Sequence, residues 1–223
     1  MLFTPFADEN DMNLAPLALT GKHVRLEPLT LAHLDGLCAV GLDPALWEWT
    51  AGRVATCEHM RAYVETALRE QNENTALPFA TIETRSGTIV GSSRFANADH
   101  ANRRVEIGWT WVAPAWQRSA VNTEAKLLMM RHAFEVLGCI RVEFKTDSRN
   151  VKSRTALAGI GAREEGTLRS HMIVQNGYRR DSVYFSVIEG EWKGVEARLL
   201  DRLRAHSSTV HGSRLVVDVQ QKK

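Results

Sequence analysis

Residues 103–147 constrain the fold more than any other stretch of this chain, because they read as strand, long helix, strand. "RRVEIGWTWV" (103–112) alternates apolar and polar residues, residues 123–137 place apolar side chains at helical spacing, and "CIRVEFKTD" (139–147) alternates again. A helix between two strands lets them lie parallel, since only antiparallel neighbours can be joined by a tight turn. Right-handed crossover then puts the C-terminal ends of both strands on the same side.

Hairpins flank this unit. "LPFATIET" and "TIVGSSRFAN" are separated by "RSG", with Gly87 in the turn, and "REEGTLRSHMIV" meets "RDSVYFSVI" across "QNGY". Another strand is expected in "KHVRLEPL" (22–29), and helices over 31–41 after Thr30, from Thr56 onward, from Asn150 to Ile160 with Gly161 as terminator, and in "EWKGVEARLLDRL". The order β-α-α-β-β-β-α-β-α-β-β-α predicts one α/β domain on a mixed sheet. Residues 1–20 read as a loose arm, 21–204 as the domain, and 205–223 as a tail, "HSSTVHGS" being loop-like and "RLVVDV" strand-like.

Length and charge narrow the function. A chain of 223 residues supports one good core. Its net charge is +2 and its basic residues form no runs, so electrostatics do not imply nucleic acid. Cys38, Cys57 and Cys139 lie far apart without metal-pair spacing, which predicts free buried thiols of a reducing compartment. The eight histidines contain no H-E-x-x-H pattern, and no metal is expected. "MLFTPFADENDMN" lacks a basic start and is not a secretory signal. No apolar run approaches the roughly 18 residues of a membrane helix. A soluble, cytoplasmic protein without membrane contact is expected.

Three features carry chemistry. First, "WQRSAVNTEAKLL" is a polar loop entering a helix for which Asn122 is the expected N-cap. Free N–H groups from Ser119 to Thr123, with Arg118 nearby, suit a pyrophosphate. Second, alternation puts Val105, Ile107, Trp109 and Trp111 on one face of their strand, and Glu106, Gly108, Thr110 and Val112 on the other. Glu106 is either a strand-end carboxylate paired with Arg103 or Arg104, or a general base whose pKa is raised by apolar neighbours such as the tryptophans. Third, "TDSRNVKSRTAL" follows the next strand on the same end of the sheet. Asn150 and Ser153 there are either a helix cap and an ordinary helix serine, or hydrogen-bonding groups of a site.

With these residues in view, the chain resembles the GNAT superfamily of acyl-CoA-dependent N-acetyltransferases, in its RimJ/RimL-like branch. The likeness covers roughly residues 20–192 and rests on "EIGWTWVAPAWQRSAVNTEAKLLMM", "RVEFKTDSRNVKSRTALAGIGAREEG" and "RRDSVYFSVIEGEW". The family's loop is usually Q/R-x-x-G-x-G/A. Gln117 and Arg118 keep its polar start, while Ala120 stands at the first glycine and Asn122 at the second small residue.

The resemblance implies a mostly antiparallel sheet with a central splayed parallel pair, and acetyl-CoA as co-substrate without metal. The pantetheine arm would lie between the splayed strands and bond the backbone of Trp111, Val112 and Ala113, with Asn150 facing it. The pyrophosphate would rest on Gln117, Arg118, Ser119, Ala120, Val121, Asn122 and Thr123. A primary amine would attack the thioester directly, with Glu106 as base, Ser153 as donor to the departing thiolate and Tyr184 in reserve. Trp47, Trp49, His171 and Arg179 would either line the acceptor cleft or serve packing and surface, "LWEWT" reading as an aromatic anchor ahead of a substrate clamp, and Asp181 would hold the amine or pair with Arg180. A homodimer is a further family expectation. The competing readings are an enzyme for small amines, an acyl-CoA-binding module without turnover, and a ligand-free protein-interaction domain.

Overall fold

The structure, a computed structural model, describes residues 12–220, with side chains through His206. Its strands are β1 (Leu19–Thr20), β2 (Val24–Pro28), β3 (Leu77–Glu83), β4 (Ile89–Asp99), β5 (Arg104–Val112), β6 (Arg141–Asp147), β7 (Arg163–Ile173) and β8 (Arg179–Ile188). The helices are α1 (Leu34–Gly41), α2 (Cys57–Asn72), α3 (Ala120–Glu135), α4 (Val151–Ile160) and α5 (Trp192–Gln220). All eight strands form one sheet in the order β1-β2-β3-β4-β5-β6-β8-β7. Every neighbouring pair is antiparallel except β5 and β6, which the α3 crossover makes parallel.

Local signals set these boundaries. Thr56 caps α2 by accepting from the His59 N–H, and Asn150 caps α4 by accepting from the Ser153 N–H. Gly161 closes α4 at φ 99°, a left-handed conformation that a β-carbon would strain.

Two apolar layers sandwich the sheet. On one face α1 and α2 bury Leu37, Met60, Val64 and Ala67 with Trp47, Ala80 and Trp111. On the other, α3 and α5 bury Met129, Met130, Ala133, Trp192 and Leu199 against Leu26, Phe95, Val105 and Phe144. Each large apolar side chain withdrawn from water contributes about 1.5–3 kcal/mol.

Several expectations change. The arm is anchored from residue 12 on: Met12 and Leu14 are buried in the α3-side core, and β1 pairs with β2. The earlier residues lie outside those described. Helix α3 begins at Ala120, because Ser119 accepts from the Val121 N–H and takes the cap assigned to Asn122. The stretch from 205 is neither loop nor strand as far as Gln220, since α5 continues through it and no proline interrupts it. Cys38 and Cys57 are not free. They form a disulfide because α1 packs beside the start of α2, which brings their Cα atoms to 5.4 Å. Cys139 is free and buried, and burial pushes its thiol up to about 11. Among the described residues no helix is long and apolar enough to cross a membrane.

Candidate active site

The parallel pair is short. Arg104, Val105 and Glu106 align with Arg141, Val142 and Glu143, and the ladder stops there although β5 runs on to Val112 and β6 to Asp147. Beyond that point the strands diverge, and the edge of β5 facing β6 is left open.

A bulge shapes the open edge. Trp109 adopts φ 48°, and the register with β4 jumps from Arg94–Gly108 to Ser92–Trp111, so β5 holds one extra residue. The extra residue reverses the alternation expected from sequence. Val105, Ile107 and Thr110 face α3, whereas Glu106, Trp109 and Trp111 face α2. Trp109 is 41% exposed, between the Arg94 guanidinium (4.9 Å) and the Lys145 ammonium (6.0 Å).

Glu106 is central and 4% exposed. Its carboxylate accepts from Asn97 Nδ2 at 2.8 Å and pairs with Lys145 Nζ at 3.1 Å. A β-carbon at position 108 would lie 2.8 Å from Glu106 Oε1, so Gly108 makes room for the carboxylate. Glu106 is buried and paired with Lys145, not in a surface ion pair with Arg104. Its hydrogen-bonding neighbours are polar rather than the tryptophans alone, and Arg104 is bound instead to Asp99 and Glu143. Lys145 also lies 5.9 Å from the Tyr184 ring, which meets the His171 ring edge-on. Burial, Lys145 and Arg180 together depress the His171 pKa.

The loop before α3 fits an anion without glycine. Ala120 and Asn122 are inside the helix, and the left-handed position falls on Arg118 (φ 60°). Of the first four N–H groups, which lack intrahelical acceptors, that of Val121 is used by Ser119 Oγ, while those of Ser119, Ala120 and Asn122 have no such partner among the described residues. Asn122 Oδ1 is buried without a partner, and a half-turn of the amide would present its NH₂ there instead. Thr123 and Val121 are buried, and Gln117 Nε2 donates to the Val112 carbonyl. The Ala113 N–H belongs to the ladder, donating to Val90 O, which removes it from the expected pantetheine contacts. Alternation then turns the Val112 N–H away from β4, toward the opening.

Asn150 and Ser153 stand beyond β6, on the same end of the sheet as this loop. The Asn150 oxygen is occupied by capping, whereas the half-buried Ser153 keeps its hydroxyl for other work. Trp47 does not line a cleft. It is 4% exposed, donates to Gly41 O and packs on Tyr63 and Trp111, because the loop turns it inward under α1. Trp49 is half-buried against the Arg149 guanidinium. Half-buried Asp181 accepts from the Ser170 N–H through Oδ1, and among the described residues it forms no ion pair with Arg180. Arg179 is exposed, and His171 Nδ1 lies 3.0 Å from Ser182 Oγ. Among the described residues no cluster of three or more His, Cys, Asp or Glu is arranged to hold a metal.

The structure adds Asn97, Lys145, Arg94 and Lys126, which pattern reading passed over. Lys126 carried a signal: with Thr123, Met130, Ala133 and Leu137 it falls on the helical stripe that α3 buries.

Comparison with known proteins bears on all of this. A profile of the acetyltransferase (GNAT) domain matches residues 23–163. Over 108 residues, 48% of the chain, it is 36% identical to YdaF of Bacillus subtilis (strain 168), provisionally named a ribosomal N-acetyltransferase; the match spans 58% of that protein's length. The crystal structure of a GCN5-related N-acetyltransferase from Brucella melitensis superposes with a TM-score of 0.78 at 33% identity, covering 84% of this chain and 86% of that one. RimJ from Mycobacterium smegmatis, solved in complex with CoA-disulfide, superposes with a TM-score of 0.69 at 25% identity, covering 80% and 88%.

Proposed function

The chain belongs to the GNAT acetyltransferase family, and on that premise we propose that it moves an acetyl group from acetyl-CoA to the primary amine of a protein N-terminus. The observation that carries this reading is the opened β5–β6 ladder, with unpaired backbone donors of α3 at its mouth and the buried Glu106 beside it. The thioester arm of acetyl-CoA fits the opening as an added strand, and the N–H groups of Ser119, Ala120 and Asn122 suit its pyrophosphate. When bound, acetyl-CoA supplies the activated acyl group.

The protein then positions and moves protons. A fixed backbone donor such as the Val112 N–H stabilises charge on the thioester oxygen without reorganising. Glu106, directly or through water, takes the proton that the attacking amine must lose. The Ser153 hydroxyl donates a hydrogen bond toward the departing sulfur, with Tyr184 as the second candidate. Asn150 contributes its NH₂, its oxygen being engaged by the Ser153 N–H. Trp49, Trp109, Tyr184 and His171 border the acceptor side. The preference for a protein acceptor over a small amine rests on the names borne by the relatives. By the same family likeness the enzyme is proposed to be a cytoplasmic homodimer, its subunit number measurable by ultracentrifugation.

Calorimetric titration of acetyl-CoA, with desulfo-CoA as control, is the test. Micromolar binding followed by CoA release in the presence of peptide amines supports the reading. Absence of binding at millimolar ligand sinks it, and binding without release with any peptide or amine points to a module without turnover.

A further inference from the structure

The amine of Lys126 has no part in the account above. It extends from α3 onto the sheet, where Nζ donates to Thr110 Oγ1 on β5 at 2.7 Å, lies 3.5 Å from Ser93 Oγ on β4, and sits 6.0 Å from the centre of the Phe144 ring on β6. Thr110 and Phe144 both follow the last paired residues of their strands, Glu106 and Glu143. Lys126 is therefore at the floor of the opening, 4% exposed itself and one hydroxyl away from the exposed Thr110.

A buried ammonium is ordinarily matched by a carboxylate. Among the described residues the elements around Lys126 supply none. On β4, Ser93 faces it while Arg94 turns to Glu70; on β5, Glu106 lies on the other face with Lys145 and Asn97. On β6, Glu143 is bound to Arg104 and Arg141. On α3 itself, Glu124 accepts from the backbone N–H groups of Lys22, His23 and Val24, and His132 lies against Phe95. Burial alone brings the Lys126 pKa down to about 7.

We propose that Lys126 is a catalytic residue of the acetyl transfer, giving a proton to the coenzyme A sulfur as the thioester C–S bond breaks. This step rests on the acetyl-CoA reading above. The acceptor nitrogen bonds to the carbonyl carbon, the C–S bond breaks with its electron pair passing to sulfur, and Nζ yields the proton that makes the thiol. The proton lost by the acceptor nitrogen passes to Glu106, and solvent carries it away and reprotonates the amine once the thiol has left. The chemistry favours this donor. A thiol ionises near pH ~8.5, so an ammonium that ionises close to neutrality gives up its proton downhill. A serine hydroxyl is a far weaker acid, which leaves Ser153 the role of hydrogen-bond donor.

The test follows the sulfur rather than turnover. Coenzyme A is titrated from neutral to alkaline pH with the wild type and with Lys126→Met, thiolate being read by ultraviolet absorbance and binding by calorimetry. In the wild type the bound thiol and Lys126 are expected to titrate as one coupled pair, thiolate first appearing near neutrality, where the ammonium persists, about one pH unit or more below free coenzyme A. Lys126→Met is expected to bind within about threefold of wild type, lose that displacement, and fall in kcat rather than KM. A displacement that survives in Lys126→Met with binding intact overturns the proposal. If the wild type fails to bind coenzyme A, the acetyl-transfer reading falls, and this step with it. Should Lys126→Met not fold, nitrogen-labelled lysine in the wild type carries the test. The Nζ titration must move when coenzyme A binds, and one that ignores bound coenzyme A overturns the assignment.

Discussion

Where β5 and β6 run side by side, Arg104 and Arg141 each meet two carboxylates: Asp99 and Glu143 for the first, Glu143 and Glu165 for the second. A few residues further along the same strands, the Lys126 amine meets only hydroxyls and an aromatic ring. The paired end is tied by hydrogen-bonded strands and compensated charge. A hollow of about 490 Å³ there, lined by Ala101, Asn102, Arg103, Arg104, Ile140 and Arg141, lies away from Glu106 and the α3 loop. The open end has lost its ladder and keeps a cation without a counter-ion among the described residues. One pair of strands thus serves as a clamp at one end and as a receptive slot at the other, and the Trp109 bulge lies in the open part of β5.

That contrast is testable at both ends. The largest effect belongs to Glu106, since its replacement removes a proton acceptor from the open end while Gln keeps the shape. Glu106→Gln is expected to slow acetyl transfer about 100- to 10,000-fold with CoA affinity retained, measured by thiol release and calorimetry. An unchanged rate would return Glu106 to a purely structural partnership with Lys145.

Next comes the effect of pH on stability at the open end. Lys126 ionises at about 7 when folded, below the ~10.4 of an unfolded lysine. Between those values the unfolded chain holds a proton that the folded chain has released, so stability must rise with pH across that window. Urea unfolding at neutral and alkaline pH should show this slope in the wild type and its loss in Lys126→Met, a difference of the order of a few kcal/mol.

The paired end has a dependence of the same sign, smaller and confined to acid. The Arg141 guanidinium holds the Glu165 carboxyl down to about 2, aided by Ser186. Its contribution is complete above the unfolded value near ~4.3 and disappears as pH falls through about 2. The Glu165 side chain is 40% exposed, so solvent screening limits the effect to about 1 kcal/mol or less. Thermal melts in acid should flatten correspondingly in Glu165→Gln. Smallest is Ser119→Ala, which removes the α3 cap. It should cost about 0.5–1 kcal/mol and weaken CoA binding a few-fold, both read from one set of ligand-dependent melts.

Much of the architecture was legible in the residues. The α3 crossover, the Gly87 hairpin, Thr56 as a cap and Gly161 as a stop all depend on neighbours close in sequence, and each forms as read. The α3 loop is a harder case. It lacks the small residues of the family's usual loop, yet Ala120 and Asn122 lie inside the helix, and the left-handed residue is Arg118. Trp47 stood between aromatic anchor and cleft residue, and the fold turns it inward as an anchor.

Between β2 and the start of α5, sequence by itself determined the element types, the parallel pair and the placement of the α3 loop and Asn150 on one end of the sheet, because periodicity, caps and crossover handedness are local or topological rules. Tertiary structure alone decided which face Glu106 shares with Trp109, that Glu106 pairs with Lys145, that Cys38 meets Cys57, and that Lys126 meets hydroxyls and an aromatic ring. A single inserted residue at Trp109 reverses every side chain after it. Charge compensation depends on atoms brought together from strands and helices distant in the chain, and no pattern along one segment contains that distance.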